Sequence, residues 1–230
     1  MRHFGDMRGR YYRIVADVLL EVVVESVTAA RAAERSGASR LELCVDLAHG
    51  GTTPSSSLTR EVVAAVSLPV FVMIRPRAGE FVYSTNELDI MARQLDEAMA
   101  SGAAGLVLGV LQPDRRVDVS RTGALVARAA GLPVTFHRAF DETPNLESAL
   151  AGVIEAGVSR VLTSGGAATA LDGAPRLAAL VREGGDRIVV VAGGGVREHN
   201  VRAIVRATGV REVHMRFEDE ARTRQVVDLL

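Results

Sequence analysis

The feature that most constrains the fold is a recurrence. Eight short runs rich in apolar and β-branched residues alternate with longer segments of helical periodicity. The runs are Val18–Val24, Arg40–Val45, Val70–Arg75, Gly105–Leu111, Val134–Arg138, Arg160–Thr163, Arg187–Ala192 and Glu212–Met215. Segments such as Ser26–Ser36, Ser84–Ala100, Asn145–Ala156 and Leu171–Glu183 lie between them. Glycine marks the return from helix to strand at Gly37, Gly102, Gly157 and Gly209, where a left-handed residue ends a helix. Eight such units, at about 29 residues each, predict an α/β chain folded as a single-domain (β/α)8 TIM barrel. The runner-up is an open doubly wound sheet, which carries fewer strands and a glycine-rich turn after the first one. Here the first strand leads into Glu25-Ser26-Val27, without glycine.

A chain of 230 residues with 48% hydrophobic content can bury a core of barrel size, assigned to residues 18–230. Residues 1–17 form an N-terminal extension, expected to be loosely ordered. It holds Arg2, Arg8, Arg10 and Arg13 but no apolar stretch of the signal-peptide kind, and no later run reaches transmembrane length. Cys44 is the only cysteine, which excludes an intramolecular disulfide and, with the absence of a leader pattern, predicts a cytoplasmic protein. A net charge of -1 gives no electrostatic reason to expect nucleic acid or an anionic membrane as partner. A metal ion or a small anionic molecule is the expected ligand, and outer barrel helices leave room for a homo-oligomer. All 27 basic residues are arginine, so Schiff-base catalysis by lysine is excluded.

Strand parity then sorts the polar residues. In a barrel, alternate residues face the interior while their neighbours pack on the helices. Leu20, Val22 and Val24, then Leu41, Leu43 and Val45, form unbroken apolar sets, so Glu21, Val23, Glu42 and Cys44 share the other face. The same parity sends Phe71, Met73 and Arg75 inward from the third strand, and Thr135 and His137 from the fifth. Burying Glu21 and Glu42 is costly without partners, and Arg75 with His137 is the expected supply.

Charged groups at the tips of apolar strands are where parallel α/β proteins do chemistry. Glu21, Glu42, His137 and Asp141 are therefore the candidate acids and bases. Arg75, Arg77 and Arg138 are candidates for bidentate binding of a carboxylate or phosphate, with Arg138 alternatively pairing with Asp141. Thr163-Ser164-Gly165-Gly166 and Gly193-Gly194-Gly195 offer backbone N–H groups of the kind that hold phosphate in barrels, or are simply tight turns. His214 ends the last strand and faces the same mouth. The five histidines form no H-x-x-H or H-E-x-x-H pattern, and a lone Cys44 makes no C-x-x-C site.

With these residues in view, the chain is similar to the CutC family, named for copper homeostasis. The resemblance runs from about Leu20 to His214. It rests on LELC at Leu41–Cys44, GGTTPS at Gly50–Ser55, FVMIRPRAGEFVYS at Phe71–Ser84, VTFHRAFD at Val134–Asp141, VLTSGG at Val161–Gly166 and AGGGVR at Ala192–Arg197. It implies a cytoplasmic barrel that binds copper through two thiols on the first two strands. Cys44 matches the second thiol, but the first falls at Val23, and a hydrocarbon cannot ligate Cu(I). Met73 or a second chain would have to supply the missing soft donor. Two hypotheses stand: a copper-handling protein using Cys44, or a barrel enzyme of lyase, isomerase or hydrolase type acting on a small anionic or phosphorylated metabolite.

Overall fold

The computed structural model describes residues 18–230, so the expectation for the extension 1–17 lies outside the described residues. Eight strands close into one parallel barrel in chain order, with β1 pairing both β2 and β8. They are β1 Leu19–Val24, β2 Arg40–Leu43, β3 Val70–Met73, β4 Gly105–Leu108, β5 Val134–Phe136, β6 Arg160–Thr163, β7 Val189–Ala192 and β8 Glu212–Arg216. Each is followed by a helix: α1 Val27–Arg35, α2 Ser56–Ala65, α3 Thr85–Ala100, α4 Val119–Arg128, α5 Leu146–Glu155, α6 Ala174–Gly184, α7 Val201–Thr208 and α8 Glu220–Leu229. The predicted barrel is the observed one.

Local chemistry sets where the helices begin. Ser26, Ser55, Ser84, Asp118, Asn145 and Asp219 each accept a first-turn backbone N–H with the side chain, satisfying a donor the helix cannot. At α3 the cap is reciprocal, because Glu87 also reaches back to the Ser84 backbone. At the far end of α7, Gly209 takes φ 71°, which a side chain would resist.

The apolar residues divide as parity requires. Leu20, Val22, Val24, Leu41, Leu43, Val70, Val72 and Ile74 belong to the large cluster between barrel and helices. Val23, Cys44, Phe71, Met73 and Val107 form a separate small cluster inside the barrel. Several strands are shorter than their apolar runs. Val45 leaves β2 and pairs antiparallel with Thr52, and Leu111 does the same with Val117, because the chain turns back at each strand tip to build the mouth. The fifth run likewise stops at Phe136, and Arg138 opens a short 3-10 helix, Arg138–Glu142.

Interior filling is tight where Phe71 lies. Its ring sits under the Arg40 and Arg160 guanidiniums, with Cζ 4.9 and 5.0 Å from the ring centroid, and against Gly105 on the neighbouring strand. A Cβ at Gly105 would meet the Phe71 ring at 2.5 Å, where only a backbone or ring shift could relieve it. Gly105→Ala is therefore expected to lower stability by about 1–3 kcal/mol, read as a fall in thermal midpoint. An unchanged midpoint would show that the lumen has slack at this level.

Candidate active site at the barrel mouth

The deepest polar layer is a buried ring of opposite charges. Arg40 Nε donates to Glu21 Oε2 at 2.6 Å and Arg40 NH2 to Glu212 Oε2 at 2.5 Å. Arg160 NH2 spans the same two carboxylates at 3.1 and 2.6 Å, while its NH1 donates to Thr135 Oγ1 at 2.8 Å. Burial alone would raise the Glu21 carboxyl, but Arg160, His214 and Arg40 together hold it far below the usual carboxylate range. The partners expected for Glu21 were Arg75 and His137, and here the structure differs. Both of those lie beyond the last strand residues, Met73 and Phe136, above the ring. Arg40, Arg160 and Glu212 were missed by sequence reasoning, although each stands two residues before an inward position and shares its parity.

Above the ring, His214 connects to the mouth. Its Nδ1 lies 2.9 Å from Glu21 Oε1 and 4.0 Å from Glu42 Oε2. Burial would lower the imidazole, but Glu42 and the Glu21 bond raise it above its ordinary value. Glu42 differs from Glu21 in that, among the described residues, no arginine is bonded to it. Burial pushes its carboxyl up to about 7, against the pull of His214, and its Oε2 is enclosed with no hydrogen-bond partner among the described residues.

His137 directly follows β5 and caps the short 3-10 helix. The N–H of Ala139, at the start of the short 3-10 helix, donates to Nδ1 at 3.2 Å. An imidazole accepting at Nδ1 carries its hydrogen on Nε2, and that atom is also buried without a partner. Burial first, and the Arg75 charge second, lower the ring's pKa to about 3, so it is neutral at physiological pH. A Cβ at Gly109 would meet His137 Cε1 at 2.5 Å, so the ring is seated directly on backbone.

Arg75 is spent mainly on architecture. NH1 donates to the carbonyls of His49 and Gly51 at 3.1 and 2.9 Å, and NH2 to Gly79 at 2.8 Å, tying together the loops that follow β2 and β3. Among the described residues it forms no ion pair with a carboxylate, so its charge stands uncompensated at the cavity wall. Phe81 stacks 4.8 Å from its Cζ and also 4.8 Å from the His137 ring centroid.

Arg77 and the glycine loops are organised differently from the expectation. Arg77 pairs with Glu87, bonds the carbonyls of Glu80 and Val82 and stacks on Tyr83, away from the cavity lining. Asp141 accepts from the backbone N–H groups of Ser164 and Gly166 at 3.0 and 2.9 Å, from the Thr163 and Ser164 hydroxyls, and from Arg138 Nε at 2.8 Å. Gly165 N–H is taken by Thr163 Oγ1 at 2.8 Å. The donors proposed for phosphate after β6 thus hold the protein's own carboxylate, and Arg138 pairs with Asp141. Gly194 packs against Ser164 and Arg138, the Gly195 carbonyl accepts from Asn200, and neither glycine lines the mouth.

What the fold does bring together is a cavity of about 820 Å³ at the C-terminal ends of the strands. Glu42, Arg75, His137, Arg138, Asp141 and His214 line it, with Met73, Phe81 and Leu162 as its apolar walls. A second cavity of about 710 Å³ opens at the opposite end, between the starts of β6, β7 and β8, where Ile154, Val181 and Ile188 contribute and no acid faces a histidine. Barrels do their chemistry at the first of these faces.

Two donor sets for a metal are present. Glu21, Glu42 and His214 place ligand atoms within 4.8 Å of one another, but Glu21 is already saturated by Arg40, Arg160 and His214. Cys44 is enclosed beside Val23 and Met73, and burial, then Glu42 and Glu25, push its thiol well above the usual range. Both sulfur side chains border Gly51, where a Cβ would lie 3.2 Å from Cys44 Sγ and 3.6 Å from Met73 Cε.

The two unusual titrations have opposite linkage to folding. Glu42 is raised from an ordinary 4.5 to about 7, so the stability it supports is full below pH 4.5 and is lost as pH rises through 7. His137 is lowered from 6.5 to about 3, so its contribution is full above pH 6.5 and is lost as pH falls through 3. Urea unfolding of the parent and of Glu42→Gln should diverge in the first sense, and of His137→Leu in the second. Parallel pH curves for parent and variant would remove the assignment.

The CutC family model matches residues 18–219 of this chain. A CutC family protein of Caulobacter vibrioides is 46% identical over 200 residues, covering 87% of this chain and 81% of its own. The human copper homeostasis protein cutC homolog is 45% identical over 196 residues, covering 85% and 72%. The crystal structure of a Streptococcus agalactiae CutC superposes with a TM-score of 0.82 at 34% identity, covering 86% of this chain and 97% of that one.

Proposed function

The chain belongs to the CutC family, and from that premise and the mouth's chemistry we propose that it binds a small anionic metabolite there and acts on it by proton transfer. One observation carries this reading. Glu42 Oε2 and His137 Nε2 are both buried, both unpartnered among the described residues and both on side chains lining the same cavity. Leaving a buried polar group unsatisfied costs about 1–3 kcal/mol, and a ligand that engages both groups offsets two such costs. Arg75 supplies the attraction for negative charge. Among the described residues no helix is long and apolar enough to cross a membrane. With one cysteine and no disulfide, a cytoplasmic location is the reading we favour.

Thermal-shift titration with pyruvate, glycerol 3-phosphate and inorganic phosphate tests the binding. At a hundredfold excess over Kd a ligand stabilises by about 2.7 kcal/mol, so an effective probe raises the midpoint by several degrees. Glu42→Gln and His137→Leu should each weaken that binding at least tenfold while the fold persists. Affinity unchanged in both variants would sink the reading.

Copper remains a second reading because relatives carry it in their names and because Cys44 and Met73 share one wall of the lumen. With Val23 in the first-strand position, the residues fit a thiolate and thioether pair for Cu(I) and not a pair of thiolates. Anaerobic competition for Cu(I) against a chromophoric chelator distinguishes the two. On the copper reading, one-to-one binding is lost in Cys44→Ala and falls at least tenfold in Met73→Leu. Binding indifferent to Cys44 would set copper aside for this chain.

A further inference from the structure

Among the described residues, Glu42 Oε2, His137 Nε2 and Arg75 Nε are buried and unpartnered on side chains of the mouth; the first two differ in kind, and that difference restricts what can lie between them. Glu42 comes from β2 and His137 directly follows β5, with β3 and β4 intervening, so the two enter the same cavity from separate parts of the barrel wall. Met73 and Leu162 line the same cavity as apolar residues. Glu42 Oε2 can take a proton. His137 Nε2–H can only donate a hydrogen bond, since Ala139 N–H occupies the other ring nitrogen and the ring is pressed on the Gly109 backbone and covered by Phe81.

Resting on the reading of the mouth as a small-anion site, we propose that its substrate is a small carboxylate bearing a carbonyl, and that Glu42 removes a proton from the carbon beside that carbonyl. The carbonyl oxygen would lie on His137 Nε2–H and the acidic C–H would point at Glu42 Oε2. In the forward step the C–H bond breaks and its proton bonds to Glu42. The C–H electron pair becomes the carbon–carbon double bond, and the carbonyl π pair moves onto oxygen. The resulting enolate oxygen is held by Nε2–H in the field of Arg75. Return of the proton to the same carbon restores the carbonyl, and no oxidant, reductant or second reactant is consumed.

Three features favour this chemistry over simple binding. A neutral imidazole donates a strong hydrogen bond to a developing oxyanion without surrendering its proton, which is how an electrophilic histidine serves an enolisation. The Glu42 carboxyl is poised near neutrality, where a base is most useful. His214 backs that carboxyl and is anchored on Glu21, which Arg40 and Arg160 fix in turn, making His214 a positioning residue. A carboxylate is favoured over a phosphate ester because Asp141 has taken the amide donors of the loop after β6.

The test is deuterium exchange. Pyruvate and 2-oxobutyrate are incubated with the protein in D2O, and loss of the C3–H signals is followed by proton NMR against a protein-free control. Exchange above the control is expected with at least one probe, falling at least a hundredfold in Glu42→Gln and at least tenfold in His137→Leu. Circular dichroism checks that each variant is folded. Should Glu42→Gln fail to fold, Glu42→Asp replaces it, with an expected drop of at least tenfold. A midpoint shift with either probe but no exchange overturns the enolisation and leaves the binding reading standing. The absence of both shift and exchange with these probes overturns the enolisation, and if glycerol 3-phosphate and inorganic phosphate give no shift either, the binding reading falls with it. Exchange that persists unchanged in Glu42→Gln overturns the assignment of Glu42 as the base.

Discussion

Everything at the mouth depends on the ring formed by Arg40, Arg160, Glu21 and Glu212. Two guanidiniums and two carboxylates inside a barrel are stable only as a complete set, because each removes the desolvation cost of the others. An aliphatic layer would fill the same space with less risk. The ring instead supplies a rigid, formally neutral platform from which Glu21 can aim a histidine upward. Arginine suits this role because it stays charged in a buried site and bridges two acceptors with one planar group.

The mouth above is economical in what it leaves unmatched. Arg75, Arg77, Arg138 and Asp141 all carry charge, yet most of their hydrogen-bonding capacity goes to carbonyls, amides or one another. These contacts fix the loops. Among the described residues, what is left over is one carboxyl oxygen of Glu42, the His137 Nε2–H and the Arg75 Nε–H, with the Glu80 carboxylate also at the cavity wall. Near-identical residue types thus perform architecture and ligand recognition side by side, and only the census of spent donors separates them.

That division explains what was legible beforehand. Parity in β1, β2, β3 and β5 placed Glu21, Glu42, Arg75 and His137 inside, because alternation along a strand is a local property. The barrel itself was readable from eight repeated units. Partner choice was not, since it depends on height along the barrel axis. Arg40 and Arg160 open their strands and Arg75 follows the end of its own, so three arginines of the same parity meet different neighbours. The role of Asp141 was hidden for another reason. A glycine-rich turn presents the same N–H groups whether a ligand or a side chain occupies them, and only the three-dimensional path of the loop after β5 decides which. Val23 was the exception, because a hydrocarbon there rules out a pair of thiolates on the first two strands at any height.

The clasp made by Arg75 bears on kinetics as much as on shape. By holding carbonyls from the loops after β2 and β3, it also fixes the segment that carries Phe81 over His137. The loops around the mouth are thereby braced against one another. Glu42 Oε2 and His137 Nε2 lie enclosed within that bracing, so a ligand that engages them does so only as neighbouring side chains part. Its affinity is then scaled by the fraction of molecules in which they have parted, and association becomes slower than diffusion and orientation alone would set.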